Sequence, residues 1–150
     1  MTTPNISIIT FYIGGRDSYL LRAMESVTEN LTIWSPEIEH HIVCQGCEIS
    51  EDIDYIIKWA ESDALPIKYH IHKWPENIGI GAGLNKIIPE CKGALVFKMD
   101  DDCQIISKDF FDHAIRIHNK FPEAVFSPFP IGLINNLGGP KGYKHSVWIN

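Results

Sequence analysis

The sequence predicts an α/β fold, a Rossmann-like, mainly parallel sheet with helices on both faces. Three observations carry this. Short β-branched runs alternate with stretches whose apolar residues recur at helical spacing. The chain has 150 residues, 45% of them hydrophobic, enough for one real core. Polar residues gather where the runs end, the place at which parallel sheets bind ligands.

Residues 6–11 (ISIITF) form the first predicted strand and run into Gly14-Gly15. Asp17 or Ser18 is placed to cap the helix that follows, with Leu20, Leu21, Met24 and Val27 on one face. A second strand at 41–44 (HIVC) breaks at Gly46, and Ser50 caps a helix carrying Ile53, Ile56, Ile57 and Ala60. The third strand, 67–72, alternates and is stopped by Trp74-Pro75; Ile80, Leu84, Ile87 and Ile88 make the next helical stripe. Residues 94–99 (ALVFKM) form a fourth strand leading directly into Asp100-Asp101-Asp102. Ser107 caps a helix with Phe110, Phe111, Ala114, Ile115 and Ile117, and 124–127 reads as one more strand. Strands and helices alternating at these lengths require right-handed crossovers. The chain is read as one domain over 1–150, with a core at 1–127 and a glycine-rich loop, or the start of a further part, at 128–150.

Composition excludes several classes. Thirteen Lys+Arg against nineteen Asp+Glu give a net charge of −6 without a basic cluster, which argues against nucleic acid as the main partner. No run approaches the roughly 18 uninterrupted apolar residues of a membrane span. The N-terminal MTTPN lacks a basic segment followed by a long apolar one, so a cytoplasmic protein is expected. Four cysteines in 150 residues fall short of a disulfide scaffold and are read as thiols.

The Asp triplet is the sharpest chemical signal. Adjacent carboxylates repel one another and raise each other's pKa unless a cation or donor compensates. Hard dications such as Mg²⁺ or Mn²⁺ favour carboxylate oxygen together with phosphate oxygens and water. The bland alternative is a solvated acidic turn. Residues 77–85 (NIGIGAGLN) open a helix, where free N–H groups favour an anion, although the spacing is not GxGxxG. Close packing of that helix on the sheet explains the glycines equally well.

Together these residues resemble the nucleotide-binding half of a family-2 glycosyltransferase with the GT-A fold. The resemblance runs over about residues 5–127. It rests on ISIITFY with LLRAMESV behind it, on Asn77-x-Gly79 with the later Asn85, and on FKMDDD as a DXD strand end. It implies a nucleoside-diphosphate sugar as donor and transfer to an acceptor that is a glycan, lipid or protein. Thr10 and Tyr12 would contact base or ribose, Asp100 and Asp101 would lie near ribose and donor sugar, and Asp102 with Asp100 would hold Mn²⁺ or Mg²⁺. In such an enzyme the cation offsets charge developing on the departing diphosphate. Asn77, Gly79 and Asn85 join the nucleotide-sugar set by position.

Two departures stand out. Cys44-Gln45-Gly46-Cys47 replaces an acidic Asp-Asp-Gly-Ser-like sequence, leaving the Gln45 amide to meet a base edge. The sequence ends at Asn150, about where the acceptor half and any general base would be built, so a truncated chain is expected, or one that binds a donor without completing transfer.

Rival readings are a nucleotide-sugar-binding or interaction domain without catalysis, a nucleotidyltransferase hinted at by Gly14-Gly15-Arg16, and a thioredoxin-like redox site at Cys44-x-x-Cys47. A zinc knuckle lacks a second close cysteine pair, and His40, His41, His70 and His72 read as pleat-facing surface residues. Trp59 sits beside a helical stripe and reads as core, while Trp34, Trp74 and Trp148 stay open as sugar platforms.

Overall fold

The structure is a computed structural model describing residues 6–31, 36–62 and 65–126. Its elements are β1 (Ile6–Tyr12), α1 (Asp17–Glu29), β2 (Ile38–Gln45), α2 (Glu51–Ser62), β3 (Ile67–Trp74), α3 (Ile80–Ile87) with a 3-10 turn at Ile88–Glu90, β4 (Leu95–Lys98) and α4 (Phe110–Lys120). The four strands are all parallel, in the order β3-β2-β1-β4. The chain therefore steps outward from β1 to β3, then returns across the sheet to place β4 on the far side of β1.

Right-handed crossovers put α1 and α2 on one face and α3, which travels the other way, on the opposite face. The packing agrees. Helices α1 and α2 touch each other, whereas Ile87 of α3 is buried with Ile9 and Val43, and Phe11, Trp74, Leu84 and Cys91 pack against them. Ile6, Ile8 and Tyr12 alternate with Ser7 and Ile9 along β1, and all five are buried, as a central strand covered on both sides demands.

The predicted strand at 41–44 begins three residues earlier, at Ile38. Its partners explain this: β2 is laddered to β3 over its whole length and to β1 from Ile38 to Cys44, so backbone pairing carries it through Glu39 and His40. At the edge, β4 is the shorter Leu95–Lys98. Ser50 caps α2 as expected, its Oγ accepting from the Ile53 N–H at 3.5 Å. Other caps differ. Arg16, not Asp17 or Ser18, is the N-cap of α1 and makes no side-chain cap bond. The Ser107 hydroxyl donates to the Asp109 carboxylate, and α4 starts at Phe110.

Residues 124–126 lie outside any strand, with Val125 85% exposed; a short apolar run without a ladder partner does not make one. Ser127 and the segment 128–150 fall outside the described residues, as do Trp34 and Trp148. On α3 the buried positions are Gly83 and Ile87, while Ile80 and Ile88 are exposed. Trp59 is exposed rather than core. His40 and His41 are fully buried, not surface residues, because β2 lies between two strands and beneath helices. Two compact units are present, Met1–Ile115, which holds the sheet, and Arg116–Asn150. No helix among the described residues is long and apolar enough to cross a membrane.

One polar bracket fastens the start of the sheet. Glu39 accepts hydrogen bonds from the Ser7 hydroxyl at 2.6 Å and from the amides of Lys92 and, at 3.3 Å, Gly93. The Gly93 N–H also donates to Ser7 Oγ at 2.8 Å. Burial alone would push the Glu39 carboxyl up, but Ser7 and the Lys92 amide hold it down at about 2. The bracket ties β1, β2 and the approach to β4 together.

Candidate functional site

In an open parallel sheet, successive crossovers diverge where the strand order reverses, and the crevice left at the carboxyl ends is where ligands bind. Here that point lies between β1 and β4. From β1 the chain passes through Gly14 and Gly15, both at positive φ, to Arg16 at the start of α1. From β4, fixed to β1 by the Met99 N–H donating to Ile9 O at 2.9 Å, it passes into the Asp triplet.

Arg16 spans the crevice. Its Nη2 donates to Asp102 Oδ2 at 2.6 Å, and its Nη1 lies 3.3 Å from Asp101 Oδ1. A cation at a helix N-terminus opposes the helix dipole, so the carboxylates compensate it there. The hydrogen bond that Arg16 donates to Asp102 raises its already high pKa. Asp101 is buried, and that burial pushes its carboxyl up, with Arg16 pulling the other way. Asp100 is exposed and paired with Lys98. Each of the three carboxylates thus faces a basic side chain.

The two exposed carboxylates at the end of β4 fit a hard dication. Asp100, Asp102 and Cys103 present ligand atoms that all lie within 4.8 Å of one another at the surface. Two exposed carboxylates leave room for water and phosphate oxygens to complete an octahedral shell. Cys103 is the wrong partner for such an ion, and burial pushes its thiol up.

The remaining candidates fall into three places. Gln45, Asn77 and Gly79 come together at the ends of β2 and β3: buried Gln45 accepts from the Ile78 N–H through Oε1 at 2.9 Å, and Asn77 Oδ1 accepts from the Gly79 N–H at 2.9 Å. Gly79, at φ 79°, is the N-cap of α3. Thr10 and Tyr12 are inside the sheet, both buried, with Thr10 Oγ1 2.9 Å from His40 Nε2. Asn85 is on an exposed turn of α3. Sequence reasoning did not include Arg16 in this site; its signal was a basic residue directly after a Gly pair, at a helix start where an acidic one is favoured.

The loops after β1 and β2 also meet. Cys47 Sγ donates to the Tyr12 carbonyl at 3.4 Å, and a Cβ on Gly14 would sit 3.1 Å from Cys47 Cβ. These contacts give Cys47 a packing role rather than the redox one. Cys44 is buried and its thiol is pushed up to about 12, mainly by that burial; burial also pushes the Cys47 thiol up. A redox pair needs a stabilised thiolate, the opposite condition. Cys47 packs the loop.

No family model matches the chain, and no curated protein does. Solved structures match its fold. S. aureus TarS 1-349 superposes with a TM-score of 0.60 at 18% identity, over 79% of this chain and 33% of TarS 1-349. The complex of TarS 1-349 with UDP gives 0.62 at 17% identity, over 79% and 33%. A mannosyltransferase from Pyrobaculum calidifontis, PcManGT, solved with GDP-Man and Mn²⁺, gives 0.62 at 15%, over 77% and 32%. The chain spans about a third of the length of these structures. Its α/β Rossmann-like layer is the fold seen in glycosyltransferase structures.

Proposed function

We propose that this chain is the donor-binding part of a family-2-like glycosyltransferase, which takes a nucleoside-diphosphate sugar at the β1/β4 crevice and passes the sugar to an acceptor. The observation that carries the reading is the Arg16 contact with Asp101 and Asp102 where the strand order reverses. A guanidinium, one buried carboxylate and two exposed ones are thereby held at one rim. The solved relatives in fold include complexes with UDP and with GDP-Man and Mn²⁺, which supports nucleotide sugars as the ligand class.

Asp102 and Asp100 would hold Mn²⁺ or Mg²⁺. The ion would supply charge neutralisation to a departing diphosphate. Arg16, freed from Asp102 when the carboxylate turns to a cation, is placed to face phosphate oxygens in the bidentate manner a guanidinium favours. Asp101 stays as its buried anchor. Gln45 already accepts a backbone N–H, which leaves its amide NH₂ as the donor free to meet a base edge.

The test is a thermal-shift series with UDP and GDP, with and without Mn²⁺. A nucleoside diphosphate is expected to raise Tm only with the metal, as linkage requires. Asp102→Ala should abolish that dependence and keep the far-ultraviolet circular dichroism. Equal stabilisation in chelator removes the metal from the reading. A collapsed spectrum assigns Asp102 to the fold. A second expectation concerns Arg16→Ala: without the competing guanidinium, Mn²⁺ alone should bind up to about fivefold more tightly, the scale of an exposed ion pair. Unchanged or weaker Mn²⁺ affinity by calorimetry would show that Arg16 does not compete for those carboxylates.

A further inference from the structure

Toward the opposite end of the strands, a second cluster of metal-ligating side chains sits apart from the crevice. Glu39 and His41 alternate along β2, and His70 stands beside His41 in the register of β3. His41 Nε2 is 3.4 Å from Glu39 Oε1, and His70 Nε2 is 3.7 Å from Glu39 Oε2. The imidazoles of His41 and His70 stack with centroids 4.8 Å apart. One ligand atom from each of the three residues lies within 4.8 Å of the others. A tetrahedral ion with bonds of ~2.0–2.1 Å spaces its ligands roughly 3.4 Å apart, so small rotamer adjustments suffice.

An independent observation points to an occupant. His41 is only 2% exposed, and among the described residues its Nε2 has no hydrogen-bond partner. Its other nitrogen, Nδ1, is 2.9 Å from His72 Nε2. If Nδ1 donates to His72, Nε2 presents a bare lone pair to a carboxylate. If His72 donates instead, the Nε2–H is aimed without alignment at Glu39. Neither neutral tautomer gives the buried atom an aligned hydrogen-bond partner, whereas a cation between Nε2 and the carboxylate engages both groups. A ligating imidazole at a zinc site usually donates its far N–H to a nearby acceptor, the place His72 takes here.

We infer that Glu39, His41 and His70 form a Zn²⁺ site, with His72 as the positioning residue for His41. Two imidazoles and a carboxylate suit a borderline dication and are a poor set for Mg²⁺ or Mn²⁺. Glu39 Oε1 is held by Ser7 and the amides before β4, so Oε2 is the oxygen for the metal. A cleft of about 370 Å³, lined by His70, Glu39, Lys68 and Lys92 among others, borders the cluster and leaves the fourth position to water or a small anion. Three protein ligands with one open position is the pattern of zinc that does more than hold a fold together.

The test uses the untagged full chain, stripped with chelator and titrated with ZnCl₂ by calorimetry. Uptake of one Zn²⁺ per chain is expected, undiminished by excess Mg²⁺. His70→Ala, at a partly exposed position, should weaken it by more than about tenfold, and His72→Ala by roughly tenfold, the effect typical of a lost second-shell partner. An Asp100→Asn/Asp102→Asn chain should bind Zn²⁺ as the parent does. Zinc-edge X-ray absorption of the parent should show nitrogen and oxygen ligands without sulfur, a readout that stands even if a variant fails to fold. No uptake, uptake indifferent to His70→Ala, or sulfur in the shell overturns the site.

Discussion

Lowering the pH from about 6.5 toward about 3 is expected to destabilise the fold steadily, by on the order of 1 kcal/mol per pH unit, through a single residue, His40. The imidazole is wholly buried on β2, and burial, assisted by neighbouring His41, moves its pKa from 6.5 down to about 3. In the unfolded chain the same group takes a proton near 6.5. Between the two values the unfolded state holds one proton more, so stability rises with pH and is lost as pH falls through that window. A protonated His40 would carry an Nδ1–H that finds no partner among the described residues, since Nε2 alone is engaged, by Thr10. His70 and His72, also lowered by burial, act in the same direction but are partly exposed and weaker. Glu39, held at about 2, adds its own loss only below 4.5. Urea midpoints measured between pH 7 and 5 therefore isolate the histidines. His40→Leu should start less stable at pH 7, having stranded the Thr10 hydroxyl, and then show a clearly flatter decline. Identical slopes in parent and variant would mean that His40 titrates normally in the fold.

The His40 case also shows what the sequence could and could not disclose. Alternation of β-branched runs with helical stripes was enough to predict the parallel sheet, because Ile9, Val43 and Ile87 can be buried together only if α3 crosses over a parallel layer. It was not enough to place the histidines. A polar residue in a run reads as surface until it is known that the strand lies between two others, and that depends on strand order, which no local pattern carries. The same holds for the length of β2, set by ladders to its neighbours rather than by its own hydropathy. The Asp triplet was legible because strand-end carboxylates are chemically costly wherever they occur. Arg16 was not, since its meaning arises 86 residues away in Asp102. Asn85, chosen by its place in a motif, sits on an exposed turn of α3.

Gly93→Ala should be the most damaging single-methyl change in the sheet, and it should silence the crevice from a distance. A Cβ at Gly93 would lie 2.4 Å from the Ser7 nitrogen, 2.6 Å from the Ile6 carbonyl carbon and 2.6 Å from Ser7 Oγ. The first two are backbone atoms of the central strand, laddered on both sides and unable to yield. The approach to β4 must move instead, and with it go the hydrogen bonds of the Gly93 amide to Ser7 and Glu39. Overpacking of this kind costs up to about 3 kcal/mol, which for a chain of this size lowers Tm by roughly 6–12 °C. The functional consequence follows from geometry. β4 is a four-residue edge strand, and its register against β1 is what brings Asp101 and Asp102 to Arg16, eight and nine residues, or roughly 26–30 Å of extended chain, from the substitution. A shifted β4 therefore separates the carboxylates from the guanidinium without touching either. In Gly93→Ala the Mn²⁺-dependent stabilisation by a nucleoside diphosphate should be lost even well below its own melting temperature, whereas Gly81→Ala, where a Cβ meets nothing within 4 Å on α3, should be neutral or slightly stabilising. A Gly93→Ala chain that melts with the parent and keeps its nucleotide response would mean that β4 does not depend on this contact for its place beside β1.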